Sequence, residues 1–190
     1  MRTYQEIEDL AGRLCPPDGD LLRRAYRFAE AAHAGQRRRH GTPYIEHPVA
    51  VARMAFERFG VTDGEVLAAA LLHDVLEDTD MTDLTAFPAR TVCLVELLTD
   101  PYPPPTRRVR HERRAALWAD RDATVLKACD RLCNLADSLL QYDPGFCARY
   151  AWRTRGELLA PGLPLATDPV ARPLLEAAIR RCEARGAGLD

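Results

Sequence analysis

Nine of the eleven residues from Val66 to Leu76 (VLAAALLHDVL) are apolar, and no other stretch of the 190-residue chain restricts the fold as strongly. A helix that is apolar on almost every side has no face to give to water, so it must be central, with other helices packed around it. The unbroken apolar run inside it, Val66 to Leu72, is seven residues long, well short of the roughly 20 that a membrane-spanning helix needs. The N-terminus (MRTYQEIEDL) is polar and does not resemble a secretory signal. The expectation is a cytoplasmic protein with no membrane partner. With 47% hydrophobic and 28% charged residues, the chain has the composition of a soluble globular protein. Twenty-six basic residues against 28 acidic ones give a net charge of -2, which lacks the positive excess of a broad binder of polymeric nucleic acid. Any anion site has to be local.

Apolar positions recur at helical spacing in nearly every segment and strand-like alternation is scarce, so the expected fold class is all-α, with seven to nine helices. The first runs over about Thr3 to Arg13, and Pro16-Pro17-Asp18-Gly19 reads as a turn before a second at about Asp20 to Ala34. After a loop from Gly35 to Ile45, Pro48 suits the first position of a third helix that ends at Gly60. Thr62 and Glu65 read as a capping box for the central helix, which runs through Asp78. Further helices are expected over about 88–98, 107–118, 124–142, 145–159 and 169–185, and the Pro-rich stretch DPYPPPT (100–106) reads as a loop. No repeat or long linker divides the chain, which reads as a single domain over 1–190 with its motifs in about 20–142 and closing helices in about 145–185. Six scattered cysteines without a CxxC pair read as reduced thiols, with Cys129 and Cys133 as small core residues rather than zinc ligands.

The costly feature lies at the end of the central helix, where His73, Asp74, Glu77 and Asp78 crowd together and Asp80 follows. Carboxylates there face the negative end of the helix dipole beside greasy neighbours, so a cationic partner is called for. At 100° per residue the four side chains fall in one sector of about 140°, close enough to share a pocket. On the later helix, Asp130, Asn134 and Asp137 border an apolar stripe, while Arg131 falls on the opposite side and reads as solvated.

In chain order, His47, His73-Asp74 and Asp130 give the pattern H…HD…D of the HD superfamily of metal-dependent phosphohydrolases. Two imidazoles and two carboxylates suit a hard or borderline divalent ion, with Mn²⁺ preferred, Mg²⁺ or Fe²⁺ possible, and zinc less favoured. Three stretches sharpen the likeness: AAHAGQRRRHGTPYIEHPVAVA (31–52), LAAALLHDVLEDTD (67–80) and KACDRLCNL (127–135). Together they resemble the hydrolase domain of the RelA/SpoT alarmone enzymes, and the chain resembles a stand-alone small alarmone hydrolase. The resemblance implies a compact HD-domain helical bundle that removes the 3′-diphosphate from ppGpp or pppGpp of the stringent response, releasing pyrophosphate. It implies His47, His73, Asp74 and Asp130 as metal ligands and Glu77 and Asp78 as the catalytic acidic pair. Arg38 and Arg39 fall where the family grips the nucleotide, and Asn134 where an amide contacts it.

Physical chemistry agrees with these roles. A substrate rich in phosphate charge needs cations beside so many carboxylates, which Arg38 and Arg39 can supply, although the run Arg37-Arg38-Arg39 also reads as a solvated loop. His33 and Tyr44 read as residues that brace and pack this loop, and the basic stretch 107–114 as a solvated helix face. The chain departs from the family at DRLCNLAD (130–137), with Cys133 and Ala136 where a His and an Arg are common. That departure opens adenine alarmones such as ppApp, or the 2′-phosphate of NADPH, as alternative substrates. Another HD nucleotide phosphohydrolase and a non-catalytic nucleotide sensor are the remaining alternatives.

Overall fold

The computed structural model describes residues 2–101 and 103–188, leaving Tyr102 of the Pro-rich loop outside the described residues. They form α1 (Arg2–Ala11), α2 (Pro16–Ala32), α3 (Glu46–Phe59), α4 (Gly64–Leu72), α5 (Val75–Asp78), α6 (Ala89–Leu98), α7 (Arg107–Ala119), α8 (Arg121–Gln141), α9 (Pro144–Leu158) and α10 (Ala171–Gly186), with a 3₁₀ turn at Pro164–Ala166. The only sheet-like feature among the described residues is one antiparallel bridge between Arg37 and Pro43. The fold is all-α, as expected. The chain divides into two units, Met1–Leu126 and Lys127–Asp190.

In the first unit α4 is the centre: Gly64 and every residue from Val66 to Leu72 are buried. It packs against α2, α3 and α6, while α1 lies on α2 and α3. A Cβ on Gly64 would come within 2.6–2.8 Å of Asp18, closer than real side chains approach, so a glycine at this crossing lets the start of α4 meet the start of α2. In the second unit α9 packs against α10, and the apolar side chains of Leu158, Leu165, Leu175 and Ile179 are buried.

Three expectations about helix ends need correction. Pro16 and Pro17 begin α2 instead of separating it from α1, because the N–H groups that proline lacks have no partner in a first turn. The cap of α4 is Asp63, whose carboxylate accepts from the backbone N–H groups of Glu65 (2.8 Å) and Val66 (3.3 Å), in place of Thr62. The central helix is also not continuous to Asp78, since it turns at His73 and Asp74 before α5. The His73 Nδ1–H donates to the Ala70 carbonyl at 2.8 Å, competing for an oxygen that an unbroken helix gives to the Asp74 N–H.

Candidate metal centre

That turn carries two ligand-type side chains on adjacent residues, His73 and Asp74. His73 Nε2 lies 3.1 Å from Asp74 Oδ1. His47, in the first turn of α3, brings its Nε2 to 3.6 Å from Asp74 Oδ2. The two imidazole centroids are 5.3 Å apart, both histidines are buried, and the ligand atoms of His47, His73 and Asp74 lie within 4.8 Å of one another. These three residues form a site able to hold a metal ion. Because a carbonyl oxygen only accepts, the bond to Ala70 fixes the proton of a neutral His73 on Nδ1 and leaves a lone pair on Nε2. A lone pair 3.1 Å from a carboxylate oxygen is favourable only with a proton or a cation between them, and a ring oriented by its far nitrogen is what a metal ligand requires.

Burial alone would raise the Asp74 carboxyl, but with the imidazoles protonated the charges of His73 and then His47, together with the Tyr44 hydroxyl, outweigh it and hold the group far below the ordinary carboxylate range. The rim is acidic. Glu77 and Asp78 lie at the surface on α5, and Glu77 Oε2 accepts from the Asp100 backbone N–H at 3.0 Å. Desolvation by its surroundings, and then the charges of Asp100, Asp74 and Asp78, raise the Glu77 pKa against the pull of that N–H.

The loop between α2 and α3 folds back as a short hairpin around the Arg37–Pro43 bridge. Arg38 N–H donates to the Thr42 carbonyl (2.8 Å) and Tyr44 N–H to the Gln36 carbonyl (3.1 Å). Gly41 turns the tip at φ +91°, a conformation that side chains disfavour. Of the three arginines, Arg37 braces the hairpin by donating to the Gly41 carbonyl at 2.6 Å. Arg38 is half-buried, its guanidinium 5.6 Å from the centre of the Tyr44 ring, and Arg39 is exposed. His33 is buried and stacked on Tyr44 with centroids 4.4 Å apart, the bracing role read from the sequence. Sequence reasoning underrated Tyr44, which does more than pack. Its hydroxyl lies 2.7 Å from Asp74 Oδ2 and 2.6 Å from Asp78 Oδ2. It also passed over Gln36, which donates to the Asp78 carbonyl at 2.8 Å. The signals were Tyr44 standing three residues before His47 and Gln36 three after His33, at the two ends of one loop.

In the second unit, α8 holds Asp130 in a buried position, with Oδ1 accepting from the Asn134 amide at 2.5 Å and Oδ2 3.7 Å from Lys127 Nζ. Cys129 and Cys133 are buried, as their reading as core residues requires, and burial pushes the Cys129 thiol above its ordinary range. Arg131 is the exception. Far from being solvated it is buried, because α9 covers its face of α8 and offers Thr154 (3.0 Å) and Glu157 (3.1 Å). No helix of the described residues is long and apolar enough to cross a membrane.

Comparison with known proteins places this geometry in a family. Residues 25–101, which hold His47, His73, Asp74 and the acidic rim, match the HD domain. The mouse (Mus musculus) guanosine-3′,5′-bis(diphosphate) 3′-pyrophosphohydrolase MESH1 is 44% identical over 117 residues, which are 58% of this chain and 65% of that protein. Its zebrafish (Danio rerio) counterpart is 39% identical over 123 residues, 62% of this chain and 68% of that protein. A solved structure of a metazoan ortholog of SpoT, which hydrolyses ppGpp and plays a role in starvation responses, matches with a TM-score of 0.67 at 26% identity, over 88% of this chain and 95% of that one. The match thus spans just under two thirds of the length of mouse MESH1. By its motifs, its fold and these relatives, the chain belongs to the HD-domain family of the MESH1 guanosine-3′,5′-bis(diphosphate) 3′-pyrophosphohydrolases.

Proposed function

We propose that this protein is a Mn²⁺-dependent hydrolase of the cytoplasm that removes the 3′-diphosphate from ppGpp or pppGpp, yielding GDP or GTP and pyrophosphate, with residues 1–190 acting as one hydrolase domain. The observation that carries the proposal is the cluster of buried His47 and His73 with half-buried Asp74, beside the acidic pair Glu77 and Asp78, in a chain whose relatives are named for this reaction. Asp130 is assigned to the same ion on its motif. Two imidazole nitrogens and carboxylate oxygens suit Mn²⁺, with Mg²⁺ or Fe²⁺ as substitutes. Such an ion supplies Lewis acidity toward a phosphoryl oxygen and lowers the pKa of bound water from 15.7 toward about 7.

The chain's own residues do the rest. Glu77, whose raised pKa keeps it a competent base, takes a proton from the attacking water, and Asp78 orients that water. Arg38 and Arg39 balance the phosphate charge that the carboxylates would otherwise repel, and the Asn134 amide contacts the nucleotide. The substrate is a small nucleotide and not a polymeric nucleic acid.

Cys133 and Ala136 stand where the family often has an imidazole and a guanidinium, and that difference favours a second reading in which adenine alarmones or NADPH compete as substrates. The test is a panel of ppGpp, pppGpp, ppApp, NADPH and dGTP with Mn²⁺, scored separately for pyrophosphate and phosphate. Pyrophosphate from ppGpp at the highest kcat/KM is the expected result. Phosphate alone, or turnover confined to NADPH or dGTP, would overturn it.

A further inference from the structure

Tyr44 is held from three directions. Its ring stacks on His33 with the planes inclined by 20°, the Arg38 guanidinium lies over it at 5.6 Å, and the His47 ring meets it edge-on at 6.2 Å. Its hydroxyl has one proton to give, yet two carboxylate oxygens approach it, Asp74 Oδ2 at 2.7 Å and Asp78 Oδ2 at 2.6 Å. One phenol therefore ties the metal-site carboxylate on the α4–α5 turn to the acid at the end of α5.

A second path returns from Asp78 to the same ring. Gln36 donates to the Asp78 backbone carbonyl at 2.8 Å, which aims its Oε1 at His33 Nδ1, also at 2.8 Å, and His33 is the ring on which Tyr44 stacks. The closed circuit runs from the Asp78 carboxylate through Tyr44, His33 and Gln36 to the Asp78 carbonyl. It fixes Asp78 at both its side chain and its backbone, although the residue itself is exposed.

We propose that Tyr44 is a positioning residue: its hydroxyl holds Asp78 at a fixed separation from the metal ligand Asp74, with His33 and Gln36 as its backing. The inference rests on the roles given to Asp74 and Asp78 above and goes beyond them by assigning the device that aligns the two.

Tyr44→Phe keeps the ring, the stack and the arginine contact and removes a single oxygen. It should lower kcat by about tenfold or more and weaken Mn²⁺ binding, read by electron paramagnetic resonance without substrate, by a similar factor. KM should stay within about twofold, because the hydroxyl makes no contact credited with substrate binding. In an Asp78→Asn background the same substitution should cost little more in kcat, since Tyr44 acts through Asp78. Unchanged Mn²⁺ affinity in Tyr44→Phe, or kcat losses that multiply in the double variant, would overturn the assignment. If wild-type protein binds Mn²⁺ but leaves ppGpp intact, the proposed function fails, and the Mn²⁺ affinity of Tyr44→Phe still decides the role of Tyr44. Should Tyr44→Phe not fold, Gln36→Met cuts the circuit at its far side. A lowered kcat at retained KM then supports the proposal and an unchanged kcat refutes it.

Discussion

Two regions of this protein bury ionisable side chains, and they balance charge differently. In the second unit the Arg131 guanidinium donates to Thr154 Oγ1 and Glu157 Oε2, lies 5.1 Å from the centre of the Tyr150 ring, and shares Glu157 with Arg153 at 2.7 Å. Burial would raise the Glu157 carboxyl, but the two arginines hold it below its usual range. Permanent charges of opposite sign are matched there, and nothing more is called for. In the first unit the half-buried carboxylate of Asp74 is met by two imidazoles and a phenol, groups with no fixed charge, and Asp74 itself stands with Asp78 and Asp100 close enough to Glu77 to raise its pKa. Matched charges build structure, whereas a carboxylate facing imidazole nitrogens is arranged for a cation from outside. The sharpest way to break this contrast is Asp74→Asn. It should abolish turnover, to below about a thousandth of wild-type kcat/KM, and weaken Mn²⁺ binding together. A variant that keeps full activity would remove Asp74 from the ligand set and with it the distinction between the regions.

Glu77 comes next in size. Glu77→Gln should retain Mn²⁺ affinity while kcat falls by about 10² to 10⁴, the usual worth of a general base. A change confined to KM would assign the side chain to binding instead. Its pKa is displaced upward, by desolvation first and neighbouring carboxylates second. A base works only when ionised, so activity should be full above that raised pKa and fall as pH drops through it, at a higher pH than an ordinary glutamate near 4.3 would give. The acid limb of the kcat profile should vanish in Glu77→Gln, and a limb that persists unchanged would point to another group.

How much of this was legible in the sequence depends on whether one residue or several set the outcome. The all-α class and the centrality of the Val66–Leu72 helix followed from apolar spacing, because burial of a greasy cylinder depends little on what covers it. The meeting of His47, His73 and Asp74 was legible because their types and order are those a metal site calls for. The turn at His73 was not, since it depends on a side chain competing for the Ala70 carbonyl, and periodicity assumes backbone bonding alone. The start of α2 was misplaced because Pro-Pro-Asp-Gly suits a turn and a first helical turn equally well. The grip of Tyr44 on Asp74 and Asp78 spans 30 and 34 positions, and no local pattern reports a contact made by closing a loop. Arg131 was misjudged for a related reason: its side of α8 is polar, and only the arrival of Thr154 and Glu157 on α9 buries it.

Arg131 also gives the smallest effect and completes the contrast. Arg131→Met fills much of the same space without charge and leaves Glu157 its contact with Arg153, on a side that is largely open to solvent. Breaking a buried pair from one partner costs about 3 to 5 kcal/mol. The residual exposure of Glu157 and its second arginine place this case at the low end, about 3 kcal/mol. For a chain of this length that amounts to a fall in Tm of roughly 6 to 12 °C, while kcat per folded molecule at 25 °C stays at the wild-type value. Double replacement of Arg131 and Glu157 by apolar residues should recover part of the loss, because no carboxylate is then left without its buried guanidinium. Thermal unfolding followed by circular dichroism, with activity measured on the same samples, separates the two quantities. A matched charge pair that serves structure alone shows its loss in Tm. If Arg131→Met instead lowered kcat at unchanged Tm, the guanidinium would belong to the reaction and charge balance would no longer sort structural burial from catalytic burial.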